Sequence, residues 1–119
     1  MTKEINIGKD FSKHPIGRFY SDSDSSGERF REEVLKPILE ITKPGEKVVI
    51  VLDDGVDGYG SSFLVEAFAG IVKHGYLGNS DLDNLLVFKY QDEDFAFYER
   101  KIRQYIKEAK FNSEQYERS

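Results

Sequence analysis

Apolar positions along the chain change their period several times, and each change marks a predicted element. Ile5 and Ile7 alternate with polar neighbours, which predicts a short half-buried strand ending at Gly8. Phe19 and Tyr20 suggest a second short strand inside the loop-like stretch from Lys9 to Ser26, which holds Pro15, Gly17 and the polar run Ser21–Gly27. Phe30, Val34, Ile38 and Ile41 then recur at helical spacing, with Leu35 and Leu39 widening the stripe. This helix is expected to start at Ser25 or Ser26, where Ser25 and Glu28 match a capping box. Pro37 is expected to kink or interrupt it, and Lys43-Pro44-Gly45 to end it.

Val48–Leu52 is an unbroken aliphatic run between breakers, the pattern of a central strand buried on both faces. A second helix is predicted from about Ser61 to His74, apolar around most of its circumference, with Gly70 allowing a close approach and Gly75 as its stop. Leu85–Tyr90 reads as another strand. Asp92, Glu93 and Asp94 then favour a helix start, and Phe95, Tyr98, Ile102, Tyr105, Ile106 and Ala109 form one stripe of a third helix. The order predicts a single α/β domain over residues 1–110. It is a small sandwich with a mixed or parallel sheet of about four strands and about three helices. The segment 111–119 reads as a polar, frayed tail, and the aromatic residues of the third helix leave dimerisation open.

Composition narrows the function. The 119 residues carry a formal net charge of -5, a surface that repels phosphate backbones and argues against nucleic-acid binding. Nine Phe and seven Tyr supply a core without Trp. The absence of cysteine excludes disulfides, Fe–S clusters and thiolate zinc sites. No apolar run reaches membrane-spanning length and the first residues lack a signal-peptide core, so the chain is expected to be cytoplasmic, with no membrane partner.

Chemistry concentrates in Asp53–Ser62, where a strand tip passes through an acidic, glycine-rich loop to a helix start. In open α/β sheets such places dock ligands and partners. Asp53, Asp54 and Asp57 could hold a hard cation, but the EF-hand spacing fails because the twelfth position counted from Asp53 is Leu64. A structural acidic loop, with no metal, is the simpler reading. Ser61 and Ser62 lack a base: His74 lies about 20 Å along the same helix, and His14 is marked by nothing. The nucleophile-elbow pattern is also missing, so the chain is not expected to be an enzyme. A phosphate on either serine would suit a helix N-terminus, and so would plain N-capping. Arg18, Arg29 and Arg31 surround a serine-rich turn, either as an anion receptor or as ordinary ion pairs with Glu32, Glu33 or the acidic loop.

The segments Gly17–Phe30, VVIVLDD and GYGSSFLVEAFAGIVKHG together resemble a family of bacterial STAS-like domains of unknown function, over roughly Ile5 to Tyr90. That family is similar in outline to the anti-sigma-factor antagonists. The resemblance implies that Ser61 matches the phosphorylatable serine and Ser62 the serine after it. Gly60 stands where the antagonists have Asp, and Phe63 where they have Gly. It further implies a regulatory module without a cofactor, docking a histidine-kinase-like ATPase through the loop and helix at 53–72. The contact set expected is Asp53, Asp54, Asp57, Tyr59, Gly60 and Phe63, with Arg18 and Arg29 nearby. The alternative is a small-ligand or nucleotide-binding domain using the glycine-rich loop and Arg18 as its anion site.

Overall fold

The computed structural model describes residues 3–119. It is an α/β fold around one parallel sheet of three strands, β1 (Lys3–Asn6), β2 (Val48–Val51) and β3 (Leu86–Lys89), in the order β1-β2-β3. Ile5, Ile50 and Phe88 lie in register on one face, and Glu4, Val49 and Val87 on the other. The first set is buried, whereas Glu4 and Val87 are exposed and Val49 is half-buried. Both crossovers advance in the same direction across the sheet, so connections of one hand place their helices on the same side. The expectation that β2 is buried on both faces is therefore corrected. An aliphatic run reports hydrophobicity but not which face is covered.

The covered face carries α1 (residues 27–40), α2 (residues 61–73) and α4 (Ala96–Glu108), with α2 between the other two. That central place explains why α2 is apolar all round: residues 67–72 are all buried. Phe68 packs against Phe88 of the sheet at 5.9 Å and Phe30 of α1 at 5.8 Å between ring centroids. Ile102 and Ile106 on α4, with Phe95 and Ala109 at its two ends, face inward along the predicted stripe.

Several expectations are corrected. Phe19 and Tyr20 form no strand, since the Asp22 carboxylate accepts hydrogen bonds from the Arg18 and Phe19 amides at 3.0 and 2.9 Å and closes a turn there. Ser26, rather than Ser25, caps α1, accepting from the Arg29 amide at 3.2 Å. Glu28 makes no capping box because its carboxylate faces the Tyr20 amide at 2.9 Å. Pro37 does not break α1. A wide π turn over Arg31–Leu35 precedes it, with the Lys36 amide bonded to the Arg31 carbonyl, and the helix runs on to Glu40. Such a turn relieves the crowding that a proline ring imposes on the preceding turn.

An unpredicted helix, α3 (Asn79–Leu85), leads directly into β3, so that strand starts one residue after Leu85. Finally, the segment 111–119 is folded back rather than frayed. The Asn112 and Glu114 amides donate to the Val72 and Lys73 carbonyls, each at 2.9 Å. Among the described residues no helix is long and apolar enough to cross a membrane.

Candidate functional site

The carboxyl ends of the three strands converge on the loop that joins β2 to α2. Leu52 extends the pairing with β3, its amide bonded to the Lys89 carbonyl at 3.0 Å, and Asp53 then turns the chain. One Asp53 oxygen accepts from both the Gln91 and Asp92 amides at 2.8 Å, tying the loop to the β3–α4 connection. On the opposite side the Asn6 side-chain amide donates to Asp54 at 2.7 Å. The acidic loop is thus anchored at both flanks by hydrogen bonds to its carboxylates, which gives two of its aspartates a structural task.

Tyr59 anchors the loop from beneath. Its hydroxyl donates to the Leu52 carbonyl at 2.6 Å, and its ring lies 5.7 Å from Phe63 and 5.4 Å from Tyr98. Burial, with the nearby Asp53 and Tyr98, pushes the phenol well above its ordinary range, so it remains a neutral donor. Phe63 is 1% exposed and packs on Phe30 at 6.0 Å. Tyr59 and Phe63 therefore shape the loop and do not present side chains to a partner.

What does face solvent is Asp54, Asp57, Gly60, Ser61 and Ser62. Gly60 is the N-cap of α2, so Ser61 and Ser62 occupy its first two helical positions and neither is the cap. Neither hydroxyl has a hydrogen-bond partner among the described residues. A Cβ at Gly60 would meet nothing within 4 Å, and its backbone is extended at φ -80°. Gly60→Asp is thus expected to stabilise the fold by roughly a few tenths of a kcal/mol, since aspartate caps better than glycine and aids the helix dipole. A melting temperature lower than that of the unsubstituted chain would contradict this placement of the cap.

The arginines lie elsewhere. Arg18 meets Glu66 on α2 at 3.7 Å, while Arg29 pairs with Glu33 at 3.1 Å and stacks over Tyr20 at 4.7 Å. The recess at the strand ends, about 370 Å³, is lined by Glu4, Asn6, Asp53, Asp54, Lys89 and Tyr90 among others, and Arg18 is not part of it. Its acidic character is unsuited to a phosphate. Among the described residues no three carboxylate or imidazole groups converge as a bound cation would need. Asn6 and Gln91 belong to the site but carry no sequence signal, because their roles depend on strands far apart in the chain.

The geometry is that of a rigid loop presenting two free serines at a strand-to-helix junction. The family described as STAS-like domain of unknown function (DUF4325) matches residues 26–94, more than half of the chain. The chain belongs to this family. No curated protein and no solved structure matches it. The stretch matched begins at the cap of α1 and ends just before α4, so the loop, both serines and α2 lie within it, while β1, α4 and the segment 111–119 lie outside.

Proposed function

We propose that this STAS-like domain is a non-enzymatic regulatory module that docks a protein partner through the loop at 53–60 and the first turn of α2. Ser61 is its phosphoacceptor and Ser62 the secondary candidate. The observation that carries this reading is the pair of exposed, unpartnered hydroxyls at the first two positions of a long helix, on a loop held by Asp53, Asp54 and Tyr59. A phosphate at Ser61 would sit against free backbone donors and the positive end of α2, so the fold tolerates it. Beside Asp54 and Asp57 it would also raise the negative charge of the docking face sharply. Through the resemblance to anti-sigma-factor antagonists, the partner is a histidine-kinase-like ATPase that modifies the serine and releases the modified form.

The test compares Ser61→Asp with Ser61→Ala against such an ATPase, by titration calorimetry. Ser61→Asp is expected to keep or slightly raise the melting temperature, because a carboxylate at the first helical position is worth about 0.3–1 kcal/mol. It should weaken binding at least tenfold, whereas Ser61→Ala leaves it nearly unchanged. Equal binding by both variants removes the switch.

A further inference from the structure

A second, unrelated cluster lies where α1 crosses α2. The helices touch at Gly27, whose Cβ would stand 2.5 Å from the Phe63 carbonyl oxygen, and at Gly70, which Arg31 overlies. Each helix carries a wide π turn here, Arg31–Leu35 and Val65–Ala69, a distortion common at functional positions. Arg31 is 0% exposed. Its Nη1 donates to the Glu66 carbonyl and carboxylate, both at 2.7 Å, and its Nε to Glu32 at 2.8 Å. Its Nη2 is buried without a hydrogen-bond partner among the described residues. The guanidinium opens onto a recess of about 230 Å³ whose inner wall includes Arg18, Glu28, Glu66, Lys73 and His74.

The segment 112–119 forms the outer wall. Beyond the two amides on the Val72 and Lys73 carbonyls, it inserts one side chain, Tyr116. The Tyr116 ring stacks on Arg31 at 5.1 Å, and its hydroxyl donates to Glu28 at 2.8 Å. Glu28 is 1% exposed; it also accepts from the Ser119 amide at 3.1 Å and from the Ser119 hydroxyl. Arg118 covers the Tyr20 ring at 4.2 Å. Every other residue of the segment is exposed, and it joins the body through Asn112, the one non-glycine residue with positive φ (54°) among those described.

These contacts follow the logic of peptide recognition. Helix-end carbonyls take two amides, a buried carboxylate takes a phenol, and an aromatic face takes a cation two residues further on. The Arg31 Nη2 nevertheless keeps no hydrogen-bond partner among the described residues with the segment in place, so this occupancy is weaker than a fully satisfied one and open to exchange. We propose that the α1/α2 crossing is a peptide-recognition site for a Tyr-x-Arg segment of a partner protein, occupied here in cis by residues 112–119. The cis segment reduces the partner's apparent affinity by holding the site closed most of the time.

The test uses the full chain and a fluorescein-labelled peptide with the sequence of residues 112–119, followed by anisotropy. Tyr116→Ala should bind the peptide at least tenfold more tightly than the unsubstituted chain, because its own segment has lost the inserted ring. The same peptide with alanine for its tyrosine should bind neither protein. Failure of the folded Tyr116→Ala chain to bind overturns the proposal, as does equal binding of the two peptides. Should Tyr116→Ala not fold, hydrogen exchange on the unsubstituted chain decides. The Asn112 and Glu114 amides should open together, at least a hundredfold more readily than the amides of residues 67–72, and faster still with excess peptide. Exchange of those two amides only through global unfolding overturns it.

Discussion

Arg31→Ala is expected to destabilise the fold by about 3–5 kcal/mol, the range for removing one partner of a buried ionic cluster. Against a total stability of about 5–15 kcal/mol for a domain of ordinary size, that removes roughly a fifth of the margin or more, and all of it at the low end of the range. The loss has three sources. The Glu66 carbonyl and carboxylate and the Glu32 carboxylate each lose a donor at 2.7–2.8 Å. The other basic groups near Glu66 are more distant, Arg18 at 3.7 Å and the His74 ring at 3.9 Å. A cavity also opens beside Gly70, under the Tyr116 ring. Burial works against the charge on Arg31, but the hydrogen bonds and charges of Glu32 and Glu66 outweigh it, so the guanidinium stays protonated wherever the fold persists.

Urea unfolding checks this through the midpoint at unchanged slope. A double variant, Arg31→Ala with Glu66→Ala, should lose clearly less than the sum of the two single losses, because the pair is coupled. A single-variant loss under about 1 kcal/mol would mean that water replaces the guanidinium without penalty, contrary to the buried cost of an unpaired charge.

Arg31 also shows where the sequence stops being legible. Its charge and its neighbours Glu32 and Glu33 give it the look of a solvated position, although it stands four residues before the buried Leu35 and so on the same side of the helix. A π turn over Arg31–Leu35 adds one residue to the local repeat and rotates the positions that follow it, and Ile41, read as part of the inward stripe, ends 61% exposed. No periodicity taken at a fixed 3.6 residues can anticipate that shift. α3 is hidden for a different reason: of Asn79–Leu85 only Leu82 is fully buried, and one apolar contact makes no pattern. The segment 112–119 folds back through backbone amides and one tyrosine, none of which a composition can reveal.

By contrast β2 and α2 were legible as apolar runs, and the inward stripe of α4 because it buries its side chains at the helical period, although the run at β2 did not disclose that only one face is covered. The candidate site was half legible. The strand–loop–serine–helix order located Ser61 and Ser62, since glycine and aspartate between apolar runs mark such a junction. The ties that hold the loop, from Asn6 and from the Gln91 and Asp92 amides, come from strands more than thirty-five residues away and leave no local trace.

Gly8→Ala is expected to cost about 2–3 kcal/mol, at the upper end of what an inserted methyl does in a tightly packed place. Gly8 lies in the wide turn Ile7–Phe11 that follows β1, and a Cβ there would stand 1.8 Å from the Asp54 carbonyl oxygen and 3.2 Å from Val56. The nearest obstacle is backbone, so no side-chain rotation relieves it. Gly8 does not have a positive φ, and the penalty is therefore one of contact and not of conformation. Either the turn or the loop must retreat, and the Asn6–Asp54 hydrogen bond at 2.7 Å lies directly beside the point of conflict.

The consequence reaches the proposed docking face, because the loop that retreats is the one carrying Asp57, Gly60 and Ser61. Gly8→Ala should therefore weaken partner binding even at temperatures where the chain is fully folded. Amide chemical-shift changes should concentrate in residues 6–11 and 53–60 and leave α4 beyond Ile102 undisturbed. Gly60→Ala serves as the contrast, since open space surrounds that position and the same added methyl should cost little more than the weaker cap. A Gly8→Ala chain within about 0.5 kcal/mol of the original, the scatter of neutral substitutions, would show that the turn and the acidic loop do not meet. The loop would then lack its anchor on the β1 side, and the rigid presentation of Ser61 would rest on Asp53 and Tyr59 alone.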